Sequence, residues 1–227
     1  MRGLTRLGGA LLATAALPLS AQAATNVLQA RVTPLGFGNY ELEIGGIDID
    51  GDYLSHDAGL SYILAFDDNT ALLADAELEF FQIEVDEGGE FDRTDLKLTF
   101  GYKTAVNLTP FIGYRNGWQG DGFLDDEAAK ETGWFFGGSY SGLPLGELGQ
   151  LTLSAAYNLN NYEFNGGDFD TAGVSAKVSL LLDAFPVGLN LKYQSFSDDE
   201  DIGVTYEETY LTLLSATWYF WSSLWEN

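Results

Sequence analysis

The tripeptide Ser55-His56-Asp57 contains the three residue types of a hydrolytic triad, in which a histidine takes the proton of a serine and a carboxylate orients the histidine. His56 is the only histidine in the chain of 227 residues. Consecutive residues of a strand point to opposite faces, so on a strand Ser55 and Asp57 would point away from His56. The spacing favours a solvated loop histidine, and a catalytic His56 would need a carboxylate or hydroxyl from another loop.

A second candidate site is the acidic run in which Asp48, Asp50 and Asp52 alternate with other residues around Gly51. The pattern is similar to the start of a calcium-binding loop, where alternate carboxylates ligate the ion and a glycine makes the turn. The bidentate glutamate of such a loop is missing, because the twelfth position is Gly59. Two interpretations stay open: a weak site for a divalent cation, or a solvated acidic surface.

The composition narrows the classes of function. The chain has 10 Lys and Arg against 34 Asp and Glu, a net charge of −24, and no cysteine. Nucleic-acid binding is not expected, because a binder must neutralise phosphates with basic side chains. Without cysteine there is neither a disulfide framework nor a cysteine-liganded metal. We expect no cofactor.

Residues 1–23 have the pattern of a secretory signal peptide. Arg2 and Arg6 form a basic start, a short apolar stretch follows, and Ala21-Gln22-Ala23 is a small-x-small cleavage site. The sequence therefore predicts a cleaved leader and a single mature domain of residues 24–227. No later segment has the ~18 uninterrupted apolar residues of a transmembrane helix.

The mature chain repeats one pattern, in which about ten residues of alternating polarity precede a turn or loop. We count ten such segments, with eight or twelve as the other possible counts. The connections alternate between short turns and longer acidic stretches, and we interpret as loops residues 48–57, 86–93, 117–131, 160–170 and 197–208. Short turns at one rim and long loops at the other are typical of a transmembrane β-barrel. A soluble lipocalin-like barrel is the alternative, since alternation does not tell which face is inside.

Aromatic residues recur near the segment ends, as an interfacial girdle requires. Examples are Phe66, Phe80 and Trp134. In this pattern the chain resembles the small outer-membrane β-barrel proteins of Gram-negative bacteria. In that class the last strand usually ends with an aromatic residue. Here Trp218-Tyr219-Phe220-Trp221 supplies the aromatics, and residues 222–227 extend past them. The resemblance implies outer-membrane lipids and lipopolysaccharide as surroundings and the barrel-assembly machinery as a partner during biogenesis.

If the apolar stripes face lipid, the charged residues of the opposite stripes face the lumen. Unpaired charges in a narrow interior are costly, so they should pair or line water. Adjacent segments bring Glu77 and Glu79 within reach of Lys97. Paired charges would plug the barrel, which we expect for about ten strands, and separated charges would make a narrow cation-preferring passage. The predicted lumen-lining residues are Glu77, Glu79, Lys97, Arg115, Lys177 and Lys192, and Asp75, Asp95 and Lys103 also lie on stripes that would face the lumen.

The sequence thus predicts a ten-stranded antiparallel up-and-down transmembrane barrel in the bacterial outer membrane, with a non-enzymatic structural or porin-like role. Two other classes of function stay open. An outer-membrane lipid hydrolase or protease would use His56, although barrel esterases have a serine two positions after the histidine and this position is Ala58. A surface adhesin or ion-binding protein would use the acidic loops.

Overall fold

The computed structural model describes residues 25–44, 47–67, 69–86, 89–120, 129–164, 167–182, 187–198 and 204–223. The predicted signal peptide lies outside these residues. None of the described residues belongs to a helix long and apolar enough to cross a membrane.

The described residues form ten strands that close into one barrel. Every strand pairs antiparallel with its neighbours in the chain, and β1 pairs with β10 to complete the ring. The predicted antiparallel up-and-down barrel is confirmed. The strands are β1 (Thr25–Ile44), β2 (Ile47–Ala65), β3 (Ala71–Val85), β4 (Gly89–Lys103), β5 (Leu108–Gln119), β6 (Ala129–Pro144), β7 (Gly149–Phe164), β8 (Gly167–Leu182), β9 (Val187–Asp198) and β10 (Val204–Ser223).

The strands are longer than the sequence predicted. They run for 12 to 20 residues, rather than about ten. The predicted loop 48–57 lies entirely within β2, and most of the predicted loop 160–170 belongs to β7 and β8. The prediction was wrong because polar side chains mark where the apolar face ends, while the backbone ladder continues beyond it. We call the end at the β1–β2, β3–β4 and β5–β6 connections the outer rim, and the end holding the chain termini the inner rim.

The two faces of the barrel have opposite character to those of a soluble protein. On β3, Leu72 and Phe80 point outward and are 46% and 43% exposed, while Glu79 points inward and is 2% exposed. On β2 the outward face from Leu54 to Leu64 is apolar except for His56, over about 33 Å of strand and roughly 25 Å of height at a tilt near 40°. We call this outward apolar surface the belt; its exposed members include Leu28, Phe37, Leu54, Tyr62, Leu72, Phe80, Phe100, Ile112, Trp134, Leu153, Val174 and Leu191.

Beyond the belt, toward the outer rim, the inner faces of β1–β3 carry a small apolar core that was not predicted from the sequence. Tyr40, Tyr53, Phe81 and Ile83 are each at most 6% exposed. The rings of Tyr53 and Phe81 meet edge to face with centroids 5.4 Å apart. Burial, together with nearby carboxylates, raises the pKa of Tyr40. We call these four residues the outer core.

The turn between β2 and β3 is held by the carboxylate of Asp67. The backbone N–H groups of Asn69 and Thr70 each donate to Asp67 Oδ1 at 2.7 Å, and the Thr70 hydroxyl donates to Oδ2 at 2.7 Å. These hydrogen bonds, that of the Thr70 hydroxyl foremost, hold the pKa of Asp67 below its usual range.

Replacing Asp67 by Ala is expected to lower the urea midpoint of unfolding in lipid vesicles at pH 7, because the turn loses all three hydrogen bonds. The folded pKa lies below the unfolded value of about 3.9, so the contribution is present above that value and is lost as the pH falls through the folded pKa. The difference between the two midpoints should therefore be smaller at pH 2 than at pH 7. Asn69→Ala is the control, since only its backbone donates. An equal difference at both pH values would contradict the assignment.

Candidate functional site: the charged lumen

Around mid-barrel, the inward side carries twelve charged side chains among the described residues. Acidic and basic groups balance there, although the whole chain has a net charge of −24. The excess negative charge includes outward acids beyond the belt, such as Glu41, Asp50 and Glu84, all exposed. The inward acids are Asp57, Asp75, Glu77, Glu79, Asp95 and Glu131; the inward bases are Arg31, Arg93, Lys97, Arg115, Lys177 and Lys192.

Four of these residues form a fully buried network on β4–β6, which we call the β4–β6 network. Arg93 Nε donates to Asp95 Oδ1 at 2.9 Å, and its Nη2 donates to Glu131 Oε2 at 2.7 Å. Arg115 donates to Asp95 Oδ2 at 2.5 Å and lies 3.2 Å from Glu131 Oε1. None of the four side chains is more than 5% exposed. Gly117 makes room for it, because a Cβ there would lie 2.6 Å from Asp95 Oδ1.

A second set of ion pairs lies on the inner face of β1–β4. Lys97 donates to Glu79, while Arg31 donates to Glu77 and has its Nε 3.7 Å from Asp57 Oδ1. The cross-strand partner of Lys97 in register is Glu77, yet the lysine reaches diagonally to Glu79. The ion pairs of both sets join residues of one strand, of neighbouring strands or of strands separated by one other strand, so they run along the wall of β1–β6.

The wall formed by β7–β9 has a different chemistry. At mid-barrel, the charged inward side chains that the structure describes on this wall are Lys177 on β8 and Lys192 on β9, which are partners in the strand register. We call this pair the basic wall. Hydroxyl and amide groups surround it, with Asn158 Nδ2 donating to Ser175 Oγ at 3.2 Å. The other inward polar side chains beside the pair are Ser154, Ser179, Asn190 and Gln194.

One internal cavity of about 340 Å³ connects the two walls. Two rings, Phe111 and Phe135, also face it and meet edge to face with centroids 6.3 Å apart. Asp75 borders the cavity too, accepting a hydrogen bond from the Ser61 hydroxyl. The six residues predicted to line the lumen all border this cavity: Glu77, Glu79, Lys97, Arg115, Lys177 and Lys192.

Four of the inward charges were not predicted from the sequence: Arg31, Asp57, Arg93 and Glu131. Arg31 lies on β1, whose alternation is broken by a bulge between Thr33 and Gly36. The other three fell in stretches interpreted as loops. The sequence signal that could have found them is the two-residue spacing of side chains on one face of a strand. Arg93 is two residues from Asp95, and Asp57 is two residues from the inward Gly59. A Cβ at Gly59 would lie 2.8 Å from Arg31 Nη2, so this glycine gives the guanidinium its place.

His56 lies on β2 rather than in a loop, so that expectation was wrong. It points outward and is exposed, with Nδ1 2.5 Å from the Pro34 carbonyl oxygen. Ser55, 4% exposed, and Asp57 point inward, as the alternation of a strand predicts. The structure therefore does not bring the three residues together as a triad.

Asp48, Asp50 and Asp52 also lie on β2, pointing outward and exposed. Alternate residues of a strand are about 6.6–7 Å apart, so these carboxylates spread along the strand instead of curving around one ion. In the part of the chain that the structure describes, no group of three or more His, Asp or Glu side chains is arranged to hold a metal ion.

The apolar belt and the charged interior together indicate a membrane protein. A surface in contact with lipid must be apolar, and only a closed barrel gives every backbone N–H and C=O group of its strands a hydrogen-bond partner inside the membrane. The chain is a transmembrane β-barrel of the outer-membrane type. No protein-family model matches the chain, and no curated protein sequence matches it.

The barrel is similar in strand arrangement to several solved outer-membrane proteins. The translocator domain of the autotransporter NalP from Neisseria meningitidis has 11% identity and a TM-score of 0.43, covering 87% of this chain and 89% of that one. The outer membrane protease OmpT from Escherichia coli has 14% identity and a TM-score of 0.44, covering 89% and 99%. Pseudomonas aeruginosa OpdQ has 16% identity and a TM-score of 0.40, covering 81% and 60%. The outer-membrane assignment of this barrel rests on its own belt and interior.

Proposed function

We propose that the protein is a narrow, water-filled, non-enzymatic channel of the outer membrane. The observation that carries the proposal is the cavity of about 340 Å³, which is bordered by β3 and by β8. In a ring of ten strands these two are five places apart in either direction, so they face each other across the lumen. A cavity that reaches from one to the other occupies the space that a plug would fill.

The ion pairs support the same proposal, because they run along the barrel wall and not across the lumen. A plug requires charged side chains that meet across the lumen, whereas the pairs of Arg31, Arg93, Lys97 and Arg115 run along the wall of β1–β6. Charges neutralised along the wall avoid the cost of unpaired burial and leave the middle open to water. At about 30 Å³ per water, the cavity holds on the order of ten molecules.

The test is single-channel conductance of the mature protein refolded into a planar bilayer, with heat-dependent gel migration reporting that the barrel is folded. We expect discrete openings of small conductance in potassium chloride. Silence from a folded, inserted barrel would overturn the channel.

Replacing Glu77 by Gln is expected to shift the permeability ratio of the channel toward anions. The substitution leaves Arg31 without its hydrogen-bonded acid and adds one unit of positive charge to a balanced lumen. A charge acting through water at short range is worth roughly 0.5–1 kcal/mol, so the cation-to-anion ratio should fall about two- to fivefold.

The reversal potential in a potassium chloride gradient measures this ratio. Glu84→Gln is the matched control, because Glu84 lies on the same strand but points outward beyond the belt and is exposed. Equal ratios for the wild type and Glu77→Gln would contradict the placement of Glu77 at the conducting path.

A further inference from the structure

The charges of the lumen are unevenly divided between its two walls. The described inward side chains of β1–β6 at mid-barrel include all six acids, against four bases, Arg31, Arg93, Lys97 and Arg115. At mid-barrel, the described inward side chains of the facing wall of β7–β9 include Lys177 and Lys192 and no acid. Summed over the described mid-barrel side chains the charge is zero, but the wall of β1–β6 has an excess of negative charge and the wall of β7–β9 an excess of positive charge.

Asp75 shows this separation of charge between the two walls most clearly. The other five inward acids each contact an Arg or Lys side chain of their own wall within 4.0 Å, but Asp75 accepts its hydrogen bond from the neutral hydroxyl of Ser61. Asp75 lies on β3 and Lys177 on β8, on opposite sides of the ring, and both border the same cavity. Opposite charges placed on the two sides of one cavity attract each other.

The width of the barrel keeps these two side chains apart. Ten strands about 4.8 Å apart and tilted near 40° give a backbone diameter of about 20 Å. Among the described residues, Asp75 and Lys177 form no ion pair within 4.0 Å, with each other or with a third residue. The carboxylate and the ammonium thus face each other over a space able to hold a small molecule.

We propose that the channel prefers small zwitterionic solutes, of the chemical class of the free amino acids. An ammonium group of the solute is attracted to Asp75, and its carboxylate to Lys177, since both side chains border the same cavity. The hydroxyls of Ser154 and Ser179, which border the cavity beside Lys177, supply further hydrogen-bond donors for that carboxylate. A lone anion or cation would meet one favourable and one unfavourable wall, whereas an oriented dipole meets two favourable ones. This inference rests on the proposed channel.

The test compares two isomeric solutes, zwitterionic glycine and uncharged glycolamide, in swelling assays on liposomes containing the refolded protein. With each wall contributing a partly hydrated contact, we expect glycine to enter about fivefold faster. Asp75→Asn and Lys177→Gln should each reduce this ratio, and the double variant should bring it close to one. Lys103→Gln is the control, because Lys103 also faces inward but lies at the inner rim, beyond the residues that border the cavity.

Conductance in potassium chloride separates the two proposals. A channel that conducts the salt but admits glycine and glycolamide equally would overturn the zwitterion preference alone. A glycine preference that both wall variants leave unchanged would also overturn it. A folded barrel that conducts nothing would overturn the channel, and the solute preference with it.

Discussion

Replacing Asp95 by Asn is expected to lower the free energy of unfolding by about 3–5 kcal/mol, the cost of breaking a buried ion pair by removing one partner. The Asp95 side chain is 0% exposed and accepts hydrogen bonds from two guanidinium groups, Arg93 at 2.9 and 3.1 Å and Arg115 at 2.5 Å. After the substitution, both cations share the single carboxylate of Glu131. Urea unfolding of the protein folded in lipid vesicles, followed by tryptophan fluorescence, measures the loss.

A matched control and a double-mutant cycle make the interpretation specific. Asp92→Asn changes an exposed carboxylate on the same strand and should leave the free energy of unfolding nearly unchanged. Arg115→Met alone should also be strongly destabilising. The double variant Asp95→Asn/Arg115→Met should lose clearly less than the sum of the two, because neighbours in one network are not additive. Additive losses would show that the two side chains stabilise the barrel independently.

Much of this architecture could be predicted from the sequence because a membrane barrel encodes its two faces in alternate residues. On β3, the apolar stripe from Leu72 to Phe80 and the acidic stripe from Asp75 to Glu79 are separated in the chain itself. Where apolar and polar residues alternate without interruption, as around Lys177 and Lys192, the pattern also predicted correctly that the polar side chains face the lumen.

The predictions failed where polarity no longer reports on the backbone. Beyond the belt both faces of a strand can be polar. For this reason the sequence pattern predicted a loop at Asp48–Asp52, although β2 includes these residues. The ion-pair partners of the lumen charges could not be predicted from the sequence either. The diagonal contact of Lys97 with Glu79, rather than with Glu77, depends on strand stagger and on space left by glycines, neither of which a stripe pattern specifies.

Replacing Phe81 by Ala is expected to open the part of the barrel beyond the belt while leaving the membrane-embedded part intact. Phe81 is 4% exposed, lies edge to face against Tyr53, and has the Arg93 guanidinium carbon 5.8 Å from its ring centroid. Truncating a buried phenylalanine costs about 3–5 kcal/mol. The strand extensions receive no stabilisation from lipid, so the outer core, with Leu42 and Phe91 packed against it, holds together the inner faces of the described residues there.

Amide hydrogen exchange resolves the two regions, because local opening exposes only the amides of the unit that opens. Exchange should accelerate by about two orders of magnitude or more in residues 40–53 and 81–92, and stay slow in residues 58–65 and 71–78, since each 1.4 kcal/mol is a factor of ten. Phe80→Ala is the control, because the adjacent ring points outward at 43% exposure and lies outside the outer core. Equal acceleration in both regions would mean that belt and extension unfold as one unit. The long strands would then be a single cooperative ladder, and the outer core would stabilise the lumen as much as the extension in which it lies.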